Sequence, residues 1–201
     1  LLDMWRSKAR LKLEHKALFQ LRGWMYDGWS LANEQEQTCF LGMNIKTNGR
    51  EIPQWDQPLF HQASMGKVML ICQVRQGILH FLFRKSFEIG FREAVQFGPT
   101  IQSNSIEIAS GSLPSYEQLL LDMVTSYAAQ VRQSCMQSDE GGRFYHSVSR
   151  YSLVEIHEDE KIPNDESNCW VTLRQIYYLA HIQGMLTNEA RSAISLLLVY
   201  L

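Results

Sequence analysis

The chain has 201 residues, 45% of them hydrophobic and 20% charged, with a formal net charge of −2. That length suits one ordinary domain, and the apolar share is enough for a core, so a disordered chain is excluded. Charge so near balance gives no electrostatic case for nucleic acid or an anionic membrane, and the longest apolar run, Leu196 to Leu201, is far too short to span a bilayer.

The first 24 residues mix Trp5, Leu11, Leu13, Leu18, Phe19 and Leu21 with Arg6, Lys8, Arg10, Lys12 and Lys16 at spacings of three, four and seven. This predicts one or two amphipathic helices ending near Gly23, with the basic face solvated. From Thr38 the period falls to two. Strands are predicted over 39–46 and 54–61, joined by a tight turn at Asn48-Gly49, with Pro58 marking an edge or a bulge. Strands over 68–74 and 78–84 follow, joined by Gln76-Gly77, then one over 94–103 interrupted at Gly98-Pro99. Residues 104–115 read as a loop, 116–124 as a short helix, and 131–136 and 144–156 as strands around Glu140-Gly141-Gly142. An acidic loop over 157–168 leads to a helix over 170–182 with Thr172 as its cap, and Asn188 caps a last helix to Tyr200. The expected class is α+β, a mixed, mostly antiparallel sheet with flanking helices. We expect an N-terminal helical segment over 1–24 and one module over 25–201.

Cys39, Cys72, Cys135 and Cys169 are scattered, with no CxxC pair, and read as reduced thiols of a cytoplasmic protein. There is no signal-peptide pattern, and the ends at Leu1 and Leu201 look like cuts in a longer polypeptide. No Walker loop, GxGxxG, HExxH or GxSxG occurs, and the six histidines lack HxH and HxxxH spacing, so no metal site is expected.

Four segments carry more polar chemistry than strands need. Trp55 beside Gln57 sets an indole next to a carboxamide, suited to stacking on a flat ring and bonding its edge; the alternative is an edge strand with a buried Trp. His80 shares a strand face with Leu82 and Arg84, and Glu88 follows before Ile89-Gly90; a satisfied core histidine and a strand-end carboxylate are the plain alternatives. Thr100 and Gln102 place a hydroxyl and an amide on one face. In Glu140-Gly141-Gly142-Arg143-Phe144-Tyr145-His146, the glycines allow close backbone approach and Arg143 suits a diphosphate. A glycine-bulged hairpin with surface arginines is the alternative.

Taken in order, these segments resemble the NDP-hexose 2,3-dehydratase family. The strings are Gly49-Arg50-Glu51, Trp55-Asp56-Gln57-Pro58-Leu59, Gly77-Ile78-Leu79-His80-Phe81-Leu82, Phe87-Glu88-Ile89-Gly90, Pro99-Thr100-Ile101-Gln102 and Glu140-Gly141-Gly142-Arg143-Phe144-Tyr145-His146. Arg150-Tyr151, Trp170-Val171-Thr172-Leu173-Arg174-Gln175 and Asn188-Glu189-Ala190-Arg191-Ser192 complete them. The resemblance implies a Nudix-like fold without that superfamily's metal box, in one module most like the C-terminal of two. It implies a lyase acting on a dTDP-4-keto-6-deoxyhexose in deoxysugar and natural-product biosynthesis. The C2 hydroxyl is lost beside the ketone without cofactor or metal. Base and acid candidates are His80 and Glu88, with Tyr145 as the alternative proton donor. Trp55 or Trp170 would stack the base, Gln57, Thr100 and Gln102 would bond the substrate, and Arg143, Arg150 and Arg191 would hold the diphosphate. A homodimer or a second module is the expected partner, with no nucleic acid and no membrane. Two further readings are an assembly-line dehydratase or cyclase working on a tethered non-sugar intermediate, and a non-catalytic nucleotide-sugar-binding module.

Overall fold

The computed structural model describes residues 1–33, 35, 37–91, 93–104, 115–126, 129–163 and 165–200. Most of the loop expected over 104–115 lies outside the described residues. The chain divides into a smaller unit, residues 12–65 and 137–149, and a larger one, residues 1–11, 66–136 and 150–201.

Helix α1 (Leu2–Lys8) belongs to the larger unit and buries Leu2 and Trp5. The helical spacing beyond it does not become helix. Ala9 is already extended, and only a 3-10 turn at Leu18–Gln20 follows. Leu13, Leu18 and Phe19 stay exposed, so this stretch has no buried stripe to hold a helix that is marginal by itself.

In the smaller unit, β1 (Met25–Tyr26), β2 (Ser30–Asn33), β3 (Thr38–Lys46) and β4 (Gln54–Gln62) form one sheet in that order. The β1–β2 hairpin is absent from the sequence reading. Its turn is built by Asp27, whose carboxylate accepts from the N–H groups of Trp29 (2.8 Å) and Ser30 (2.7 Å). Those backbone bonds, Ser30 first, hold the Asp27 carboxyl below its usual range. Strands β3 and β4 pair antiparallel from Thr38 opposite Gln62 to Lys46 opposite Gln54. Their connection is longer than a tight turn at Asn48-Gly49. It spans 47–53, closed by the Thr47 N–H on the Pro53 carbonyl (2.9 Å) and by the Gly49 N–H on the Thr47 hydroxyl (3.1 Å).

Pro58 sits on β4, the last strand of the sheet, as an edge position requires. The Phe60 N–H, two residues on, donates to the Arg143 carbonyl rather than to β3. Pro58 has the same parity, so its missing N–H falls on the outer edge and the ladder loses nothing. The strand expected from Phe144 begins only at Val148. Residues 143–145 instead lie along β4, where the Tyr145 N–H returns to the Phe60 carbonyl at 2.8 Å.

The larger unit holds β5 (Gly66–Arg75), β6 (Ile78–Phe87), β7 (Val95–Gly98), β8 (Ile101–Asn104), β9 (Ala129–Ser138), β10 (Val148–Ile156) and β11 (Asn168–Thr172). The order is β11-β6-β5-β10-β9, with β7 against β6 and β8 against β5. Gln76 and Gly77, both at positive φ (52° and 74°), make the mirror-image turn a two-residue hairpin favours. Helix α2 (Ser115–Thr125) covers one face, packing Leu120 and Leu121 with Ile71, Leu82 and Ile101. On the other face α1, α3 (Leu173–Ala180), α4 (Asn188–Ser195) and α5 (Leu197–Tyr200) pack on Leu70, Phe81, Phe83 and Phe97.

Trp170 and Val171 are strand residues, opposite Leu82 and Phe81, not the start of a helix. Thr172 does cap α3, in a reciprocal pair with Gln175. The cap of α4 is Thr187 rather than Asn188, its hydroxyl accepting the Ala190 N–H at 3.0 Å. The α+β class and the mostly antiparallel pairing stand as expected. Among the described residues, no helix is long and apolar enough to cross a membrane.

Candidate functional site

Four of the expected site residues gather at the outer edge of β4 in the smaller unit. The Trp55 indole N–H donates to Gln57 Oε1 (2.5 Å), and the Gln57 amide donates to the Gly142 carbonyl (2.6 Å). Gly142 adopts φ +85, which its lack of Cβ permits. Arg143 comes next, its guanidinium 2.9 Å from Glu140 and largely exposed. Tyr145 lies between two imidazoles, stacked on His146 with centroids 4.0 Å apart and edge-on to His61 at 5.9 Å. The His61 ring also meets the Tyr145 carbonyl at 2.9 Å. An open cleft of about 640 Å³ lies beside Trp55, lined by Gly49, Arg50, Glu51 and Ile52 as well.

The larger unit carries the rest. His80 lies on β6 opposite Thr172, its Nδ1 2.8 Å from the Ile78 carbonyl. Glu88 follows the far end of β6, so eight residues of extended chain put it about 26 Å from His80. A single hexose is only a fraction of that length, so the structure does not bring the two together. Glu88 accepts from the Ser86 hydroxyl at 3.1 Å. Burial first, and the Glu189 charge second, push its carboxyl above the usual range, against the Ser86 bond and Arg84. Buried polar atoms without a bond collect on nearby elements: Gln96 Oε1, directly across from Ser86, and Glu189 Oε2 on α4. Arg84, on the same face, pairs with Glu117 of α2.

Thr100 is 1% exposed. Its hydroxyl accepts the Ile71 N–H (2.9 Å) and donates to the Leu82 carbonyl. Gln102 has a buried Oε1 without a bond. Trp170 carries the Arg75 guanidinium 4.7 Å over its ring. Arg150 is exposed on β10, and Arg191 is exposed on α4 with a bond to Asn188 Oδ1. Among the described residues, no three His, Cys, Asp or Glu side chains group as metal ligands.

The sequence matches the family model described as NDP-hexose 2,3-dehydratase over residues 1–197. The chain belongs to that family. It is similar to dTDP-4-dehydro-6-deoxy-alpha-D-glucopyranose 2,3-dehydratases from Saccharopolyspora spinosa (26% identity, covering 94% of this chain and 39% of that protein) and Streptomyces violaceoruber (30%, covering 77% and 34%). A third, from Amycolatopsis orientalis, is 27% identical, covering 94% of this chain and 40% of that protein. The chain thus spans about two fifths of the length of these relatives or less. Among solved structures it is similar to an ADP compounds hydrolase (TM-score 0.44, 11% identity, 88% of each chain). It is also similar to a Nudix hydrolase from M. smegmatis (TM-score 0.42, 12% identity, 78% of this chain and 92% of that one).

Within this dehydratase-family chain, the residues that the sequence did not single out are Arg50, Arg84, Ser86, Gln96, Glu117 and Glu189. Arg84 and Ser86 share the face of Glu88 at steps of two, a signal present in the strand period. Arg50 and Glu189 stand inside strings that carry the family resemblance. Gln96 and Glu117 come from separate elements, and only their packing against β6 marks them.

Proposed function

We propose that the chain takes part in removing the C2 hydroxyl from a dTDP-4-keto-6-deoxyhexose, as a carbon–oxygen lyase that uses side chains alone. The observation that carries this reading is Glu88: a half-buried carboxyl on Ser86, beside a second carboxylate, in a chain of the 2,3-dehydratase family. A carboxyl raised above its ordinary value is a stronger base when ionised and a useful acid when protonated.

The ketone at C4 acidifies the C3–H bond. The Glu88 carboxylate takes that proton, and the bonding pair moves onto the carbonyl oxygen as an enolate. The enolate collapses, the C2–O bond breaks, and the hydroxyl leaves as water with the proton Glu88 had taken. The resulting 3-hydroxy-2-ene-4-ketone tautomerises to a 3,4-diketo sugar. One carboxyl serves both transfers, because His80 lies about 26 Å along the strand from it. The Trp55 ring and the Gln57 amide, in the smaller unit, suit a flat ring and its polar edge. A homodimer, or pairing with a second module, and a cytoplasmic setting complete the proposal; the four thiols are free.

The test is loss of one water from the dTDP-keto sugar, followed by mass spectrometry. The wild-type chain is expected to catalyse it, and Glu88→Gln to slow it by about 100-fold or more. Equal rates for the two would remove Glu88 from the mechanism.

A further inference from the structure

Gln96 and Ser86 stand directly opposite each other in the β6–β7 ladder, so their side chains share a face with Cβ atoms about 5 Å apart. Val95 and Phe97 turn the other way, into the core. Gly98 lies two residues along β7, on the face of Gln96, and a Cβ there would come 2.8 Å from the Ser86 Cβ. Strand β7 therefore lies against Ser86 on this face.

Gln96 is 2% exposed, yet its Oε1 has no hydrogen bond. A buried carbonyl oxygen without a donor is uncommon and costs stability. Ser86, across from it, has one O–H to give and can accept in return. That O–H points to Glu88 Oε1 at 3.1 Å, the arrangement an ionised carboxylate calls for. In it the Ser86 bond and Arg84 oppose protonation of Glu88, while burial and Glu189 of α4 favour it. Arg84 is held in turn by Glu117 of α2, and its buried, unbonded Nε is a donor, so it offers the Ser86 proton no acceptor.

We propose that Gln96 is a positioning residue for Glu88, receiving the Ser86 O–H whenever Glu88 carries a proton. The protonated carboxyl then donates to Ser86 Oγ, and the hydroxyl turns to Gln96 Oε1. No bond to hydrogen breaks in this turn. When Glu88 hands its proton to the leaving hydroxyl, Ser86 turns back. Gln96 touches no substrate; it holds Glu88 in the protonated state that the elimination passes through. The bearing on turnover rests on the reading of Glu88 as the base, and the hydroxyl turn itself does not.

The test is the titration of Glu88, followed by carbon-13 NMR of the glutamate-labelled chain without substrate, with its signal assigned by its loss in Glu88→Gln. Gln96→Leu removes the acceptor at similar volume and is expected to lower the Glu88 midpoint by about half a pH unit or more. Gln96→Met, of equal length, is expected to do the same and serves if the leucine variant fails to fold. In Ser86→Ala, adding Gln96→Leu is expected to move the midpoint by less than about 0.2, because the route through the hydroxyl is already gone. An effect of packing alone would persist there. With the keto sugar, kcat is expected to fall about threefold or more, the factor that half a pH unit represents, with KM within about twofold. An unchanged midpoint in Gln96→Leu and Gln96→Met, or an equal fall with and without Ser86, overturns the proposal. A lowered midpoint with unchanged turnover upholds the hydroxyl turn and removes Glu88 as the base. Slower turnover at an unchanged midpoint overturns the proposal and leaves Glu88 its role.

Discussion

The Thr100 hydroxyl donates to the Leu82 carbonyl and accepts the Ile71 N–H, at the point where the main sheet divides. Ile71 and Leu82 are the last residues of the β5–β6 ladder. Beyond them β5 turns to β8 and β6 to β7, and one hydroxyl supplies the bonds the parted strands lack. Thr100→Val keeps the shape and removes the hydroxyl, leaving a buried N–H and a buried carbonyl unpaired. A loss of about 1–3 kcal/mol is expected in urea unfolding. The dTDP affinity of the folded variant is expected to match wild type; selective loss of affinity at unchanged stability would make Thr100 a substrate contact instead.

Glu88 gives the chain a pH signature. Its carboxyl holds a proton more tightly folded than unfolded, through burial and then Glu189. Stability from this group is complete below the ordinary value of 4.5 and is lost as pH rises through the folded value. Glu88→Gln is expected to abolish that decline. The variant melts with wild type in acid and above it at neutral pH. Melting temperatures measured across that range check the claim, and parallel curves would refute it.

Gly98 faces Ser86 so closely that an added Cβ would lie 2.8 Å from the Ser86 Cβ. Gly98→Ala therefore has to displace the hydroxyl that holds Glu88. Strain of about 1–3 kcal/mol is expected. A lowered turnover with unchanged dTDP affinity is expected with it, read by steady-state kinetics beside calorimetry.

Gln57 spans 85 residues of sequence to reach Gly142. Gln57→Leu keeps the bulk and cuts both the indole bond and the loop bond. Thymidine affinity is expected to fall several-fold, because the ring is no longer held. Faster hydrogen exchange at the Tyr145 amide is expected alongside it; protection equal to wild type would show that Gln57 does not hold this loop.

Much of the fold was legible because β3 and the first half of β4 alternate in burial with a period of two, β5 and β6 carry short apolar runs buried on both faces, and Gln76-Gly77 and Pro58 punctuate them. What escaped depends on packing between elements. The apolar residues of 11–21 carry helical spacing, yet they find no core. Trp170 and Val171 read as helix because Thr172 follows them, and only their pairing with β6 makes them strand. The site was legible as residue types but not as neighbourhoods. Trp55, Gln57, Gly142, Arg143 and Tyr145 gather because residues 143–145 lie along β4, a long-range pairing that no local pattern encodes. His80 and Glu88 share a strand face by parity, and parity says nothing about the length of strand between them.

The most direct measurement is deuterium entry at C3 of dTDP-4-keto-6-deoxyglucose in heavy water, followed by proton NMR with wild type and Glu88→Gln. Exchange is expected with wild type, with a drop of about 100-fold or more in Glu88→Gln while dTDP affinity is kept. Exchange at the same rate in both proteins, or in neither, would contradict it.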